Sequence, residues 1–200
     1  MLAILVGLLM LLTVPLARAV DPAAAEITNL RVQRADDGLF LSGSINFELP
    51  SVVEDALLKG VPITFVAEAD LLRDRWYWYD KRVATASRSV RMVYQPLTRR
   101  WRVSVASGTV TSPGNSFALT QNFDALSDAL ATVRRIARWK IADIGDMDVS
   151  ARHNIDFRFR LDLSQLPRPL QIGVLGQADW NISAQSNVRP ELPISEPRLP

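Results

Sequence analysis

The chain has 200 residues, with 23 Lys or Arg, 21 Asp or Glu, one histidine and no cysteine. Its formal net charge is only +2 and the signs are interspersed, which removes the electrostatic case for a nucleic-acid partner. Without cysteine there are no disulfides, thiol nucleophiles, thiolate metal ligands or cysteine-linked lipids, so stability has to come from a buried core.

The first stretch is apolar from Leu2 to Leu16 and is followed by Ala17-Arg18-Ala19. Small residues at these two spacings before a cut suit a signal peptidase, so residues 1–19 read as a signal peptide cleaved after Ala19. The run is shorter than the roughly 20 residues of a membrane-spanning helix. An uncleaved leader anchored in the inner membrane is the alternative, and no Lys or Arg precedes the run. The chain is therefore expected outside the cytosol, meeting the membrane only through an uncleaved leader.

Residues 20–26 form a lead-in of small side chains. Asp36-Asp37-Gly38 reads as a hairpin turn between alternating segments, the second running through Leu39, Leu41, Gly43, Ile45 and Phe47. Ser51-Val52-Val53-Glu54 fits a capping box opening a short helix, with Gly60 and Pro62 as its stop. Three consecutive strands are expected between Gly60 and Ser104. Ile63, Phe65, Ala67, Ala69 and Leu71 share a face of the first, Val90, Met92 and Tyr94 of the second, and Trp101 and Val103 of the third. At the first bend stand Arg75, Trp76, Tyr77, Trp78, Tyr79, Asp80 and Arg82. Extended backbone puts Trp76 and Trp78 on one side and Tyr77 and Tyr79 on the other. The segment is either a core plug with an aromatic rim or a partner-binding platform.

Residues 107–116 read as a flexible loop. Asn122 is the expected N-cap of the main helix, whose stripe is Phe123, Leu126, Leu130, Val133 and Ala137. Arg134, Arg135 and Arg138 complement its C-terminal dipole, with a phosphate or anionic-lipid site as the other reading. A short strand is expected over 139–144, and the cleanest alternation runs from Ile155 to Leu163. A turn follows at 166–169, then a short strand at 179–183. The proline-rich residues 184–200 read as a disordered tail. One β-rich domain over 27–183 results. The fold class is mainly β (α+β): an antiparallel β-sandwich of about seven to eight strands with one longer and one short helix packed on it.

No reaction centre emerges from the residue types. His153 has no Gly-x-Ser-x-Gly elbow to serve, and one histidine cannot build a zinc site. Asp143, Asp146 and Asp148 lack the spacing of a calcium loop. No glycine-rich phosphate loop occurs, and no cofactor is expected. Glu68, Asp70 and Asp80 keep a carboxylate-pair hydrolase open, since their separation is not readable from sequence.

Five blocks in order are similar to a bacterial family, domain of unknown function 4390. They are residues 56–65, then Arg75-Trp76-Tyr77-Trp78-Tyr79-Asp80 with 81–84, then 94–99, then 161–169, and Asp179-Trp180-Asn181. The resemblance implies an exported protein of Gram-negative bacteria, encoded beside a membrane sensor kinase of the nitrogen-regulation type. It carries no catalytic residues. The expectation is a non-enzymatic envelope binding or accessory module whose partner is an envelope or membrane-associated protein. A hydrolase of envelope sugars and a carrier of an apolar ligand are the alternatives.

Overall fold

In the computed structural model, residues 25–74, 81–109, 118–148, 151–174 and 176–190 are described. The expected leader, residues 110–116 of the expected loop, residues 191–200 of the expected tail and residues 75–80 lie outside them. Among the described residues no helix is long and apolar enough to cross a membrane.

Two antiparallel sheets form. The smaller begins with β1 (Glu26–Ala35) and β2 (Gly38–Asn46), joined by the two-residue turn at Asp36-Asp37. Gly38 is needed there: at φ 155° a Cβ would stand 2.2 Å from the Ala142 carbonyl oxygen. After helix α1 (Ser51–Leu58) the chain crosses to the larger sheet. It runs β3 (Ile63–Arg73), β4 (Lys81–Gln95), β5 (Arg100–Thr109) and β6 (Ala118–Phe123), each paired with the one before. Helix α2 (Leu126–Arg134) leads to β7 (Arg135–Asp143), which returns to the small sheet beside β2. β8 (His153–Leu161) then pairs with the free side of β3. Helix α3 (Arg168–Val174) precedes β9 (Ser183–Val188), which pairs with β8. The strand orders are β1-β2-β7 and β6-β5-β4-β3-β8-β9.

The period of two decides what fills the sandwich. Ile63, Phe65, Ala67, Ala69 and Leu71 point inward from β3, and Ile155, Phe157, Phe159 and Leu161 meet them from β8. Leu39, Leu41 and Ile45 of β2 with Ile136, Trp139 and Ile141 of β7 close the core from the small sheet. Phe65 and Phe159 stack at 5.6 Å, and Phe47 tilts against both at 5.5 and 5.7 Å. Each such ring contributes about 2–3 kcal/mol by burial.

The expected sandwich is present, with nine strands among the described residues. Several local expectations change. Helix α1 starts at Ser51 after an N-cap at Pro50 with no side-chain cap, because the Pro50 carbonyl takes the amides of Val53 and Glu54. Asn122 is not an N-cap either. Sheet pairing holds 118–123 as β6 and shortens α2 to nine residues, leaving Phe123 and Ala137 on strands. Residues 107–109 continue β5 rather than opening a loop. The 166–169 turn runs into α3, where Leu170 and Gln171 amides bond to the Pro167 carbonyl. Residues 178–180 make a short 3-10 turn, and the last strand runs on to Val188, past the boundary expected at Ser183.

Candidate functional site

Two described surfaces carry organised charge. The first is the outer face of the large sheet at the root of the β3–β4 hairpin. Of the expected partner-binding residues, Arg75, Trp76, Tyr77, Trp78, Tyr79 and Asp80 lie outside the described residues; Arg82 stands at the start of β4, across from Leu72. Its guanidinium lies 3.3 Å from the Asp70 carboxylate, with side-chain exposures of 61% for Arg82 and 2% for Asp70.

Asp70 is deeply buried because three neighbours converge on it. Arg158 donates at 2.6 Å and the Thr85 hydroxyl at 2.7 Å, besides the Arg82 contact. The alternation places Asp70 on the outward register of β3, directly opposite Asp156 of β8. Two facing carboxylates would repel, and Arg158 resolves this by contacting both, Asp156 at 3.5 Å. Arg158 and Arg160 also approach Glu68 at 3.8 and 3.6 Å, and Arg160 reaches Asp162 at 3.4 Å. Gln185 of β9 donates to Asp156 at 3.0 Å. The carboxylates here are acceptors in a lattice of guanidiniums on an open sheet face.

The second surface is the outer face of the small sheet. An open groove of about 940 Å³ is lined by Arg31 of β1, Ser42 and Ser44 of β2, Arg134 of α2, and Arg135 and Arg138 of β7. Among the described residues no carboxylate lines it. Register builds it: Arg31 stands opposite Ser42, and Ser44 opposite Arg135. Bulges interrupt both pairings, with left-handed backbone at Asn29 (φ 53°) and Arg138 (φ 40°). Asn tolerates that region, whereas Arg in it is strained by about 1–2 kcal/mol. Two contacts hold Arg138 there. Its amide donates to the Ser42 hydroxyl at 3.1 Å, and its guanidinium lies 5.0 Å from the Phe40 ring centroid. Arg134 is structural: it donates to the Phe47 carbonyl at 2.6 Å and stacks over that ring at 5.2 Å.

The reading of Arg134, Arg135 and Arg138 as one cap on a helix C-terminus is thus corrected. Only Arg134 ends α2; Arg135 and Arg138 belong to β7. Sequence reasoning missed the partners Arg31, Ser42 and Ser44. The signal was available, since a two-residue turn at 36–37 dictates which residues face each other across β1 and β2.

Asp143 and Asp146 cap a 3-10 turn reciprocally, and Lys140 reaches Asp143 at 2.8 Å. Among the described residues no cluster suited to a metal ion forms. The Asp143 hydrogen bond holds the Lys140 pKa above its ordinary value. His153 is buried on the inner side of β8. Arg88 points to the inner side of β4 opposite Ala67, and burial pushes its pKa down.

Residues 23–189 match the family profile described as domain of unknown function (DUF4390). No curated protein and no solved structure matches the chain.

Proposed function

Starting from the chain's membership of the DUF4390 family, we propose that it is an exported, non-enzymatic binding module of the bacterial envelope. In this reading it works in the periplasm, without a cofactor, and grips a membrane-associated partner by the β3–β4 hairpin. The observation that carries the reading is the Asp70 clamp. A carboxylate that is 2% exposed fixes Arg82 at the foot of the hairpin, while the Arg82 side chain stays 61% exposed. Ordering an arginine in advance lowers the entropy lost when a partner docks, and preordered arginines beside aromatic residues are what interface hot spots are made of. Of the three carboxylates that kept a sugar hydrolase open, Asp70 pairs with Arg82 and Arg158 and Glu68 with Arg160, while Asp80 lies outside the described residues. A sensor kinase of the envelope is the partner that the family resemblance suggests.

The test begins with fractionation and N-terminal sequencing, which should find the chain in the periplasm starting at Val20. Cross-linking in intact envelopes should then join it to the sensor kinase. Trp76→Ala/Trp78→Ala and Arg82→Glu should each lower that yield at least about tenfold, as expected for hot-spot residues, with the circular dichroism of the folded domain unchanged. An unchanged yield in folded variants would defeat the assignment of the surface. Turnover of a cell-wall glycan by the purified chain would defeat the binding reading altogether.

A further inference from the structure

We infer that the groove on the outer face of the small sheet docks the phosphate-diester headgroups of an anionic lipid surface. This is a second site, on the opposite sheet from the β3–β4 hairpin, and it stands or falls separately from that reading.

The lining charge is of one sign. Arg31, Arg134, Arg135 and Arg138 contribute four guanidiniums, in a chain whose overall net charge is only +2. Arg134 is committed to the Phe47 carbonyl. Arg31 and Arg135 are exposed and have no ion-pair partner among the described residues. They flank β2 from either side, so their strands are about 10 Å apart, two strand spacings. A phosphate seated over Ser42 and Ser44 lies within reach of both side chains. The Ser42 hydroxyl accepts from the Arg138 amide, which leaves its own O–H free to donate to the same anion. Guanidinium forks match phosphate oxygens two at a time.

Chain order favours a membrane source over a free ion. The apolar run ends at Leu16, and β1, which carries Arg31, begins at Glu26. The ten peptide steps from Leu16 to Glu26 can reach at most about 35 Å. Before cleavage after Ala19, a leader seated in a bilayer confines the groove to the zone where basic side chains feel the anionic surface, each worth about fivefold in partitioning.

The full chain is mixed with vesicles of phosphatidylcholine alone or with one third phosphatidylglycerol, and bound protein is measured by sedimentation. The apolar run is common to all variants, so the ratio of anionic to neutral binding reports the charge. Arg31→Glu/Arg135→Glu is expected to reduce that ratio at least about twentyfold, and high salt should reduce the wild-type ratio. Arg91→Glu/Arg102→Glu changes net charge equally on the other sheet and should reduce it far less. An equal drop in both double variants would overturn the site, because net charge alone would then explain binding. A wild-type ratio near one would overturn it as well. Inorganic phosphate that binds the wild type but not the Arg31→Glu/Arg135→Glu variant, without any preference for anionic vesicles, would overturn the lipid source.

Discussion

Replacing Asp70 by asparagine preserves shape and removes the charge on which Arg82 and Arg158 converge. The carboxylate holds contacts at 2.6, 2.7 and 3.3 Å and is 2% exposed. A hydrogen bond to a charged group contributes about 1.5–3 kcal/mol, and breaking a fully buried ion pair costs about 3–5 kcal/mol. The guanidinium side chains are 39% and 61% exposed, so water recovers part of their solvation. The expected loss is therefore about 2 kcal/mol for Asp70→Asn. For Asp70→Ala it is about 3 kcal/mol, because Thr85 also loses its acceptor. In a domain of this size that lowers the melting temperature by about 4–8 °C for the asparagine variant. Urea unfolding followed by tryptophan fluorescence measures it, with an unchanged slope showing that two states still suffice. A double-mutant cycle with Arg158→Ala should return a coupling of about 1 kcal/mol or more, and one with Arg82→Ala less, given its longer and wetter contact. A loss under about 0.5 kcal/mol, or no coupling to Arg158, would refute the view that Asp70 organises this face.

Gly38→Ala should lower the urea midpoint by an amount equal to about 3 kcal/mol or more, since the new Cβ meets the Ala142 carbonyl, which β2–β7 pairing holds in place. Gly108→Ala, with open space around it, should change stability by less than about 1 kcal/mol in the same assay. Lys140 should titrate above the ordinary lysine range in an NMR experiment. Because its folded pKa is raised, its stabilising contribution is complete at neutral pH and fades only as pH rises through that value. Asp143→Asn should bring the titration back toward the ordinary value, and an unmoved pKa would count against the hydrogen bond as the cause.

Much of the fold was legible along the chain because it rests on local rules. Alternation in Ile63–Leu71 and Ile155–Leu161 named the inward residues of β3 and β8. The Asp36-Asp37-Gly38 turn identified the first hairpin, and Gly60, at φ 82°, the end of the first helix. Local rules failed where tertiary pairing offered the backbone a better partner. Asn122 and Phe123 suit a helix start, yet β5 offers residues 118–123 a ladder of hydrogen bonds that a helix end lacks. Ser51 and Glu54 match a capping pattern, but the Pro50 carbonyl had already taken the Glu54 amide.

The candidate surfaces divide in the same way. Residue order alone told which residues alternate outward, that no thiol chemistry is available, and that Arg82 follows the aromatic stretch 76–79. Packing was needed to bring Asp70 beneath Arg82 and Arg158, and to put Arg31 in one groove with Arg135 and Arg138. Apart from the hairpin neighbours Asp70 and Arg82, those pairs are 88 or more residues apart, and charges so far apart in sequence meet only through strand order and register. Periodicity tells each strand which way its side chains face; it says nothing about which strand lies alongside, and that choice assembles the charge.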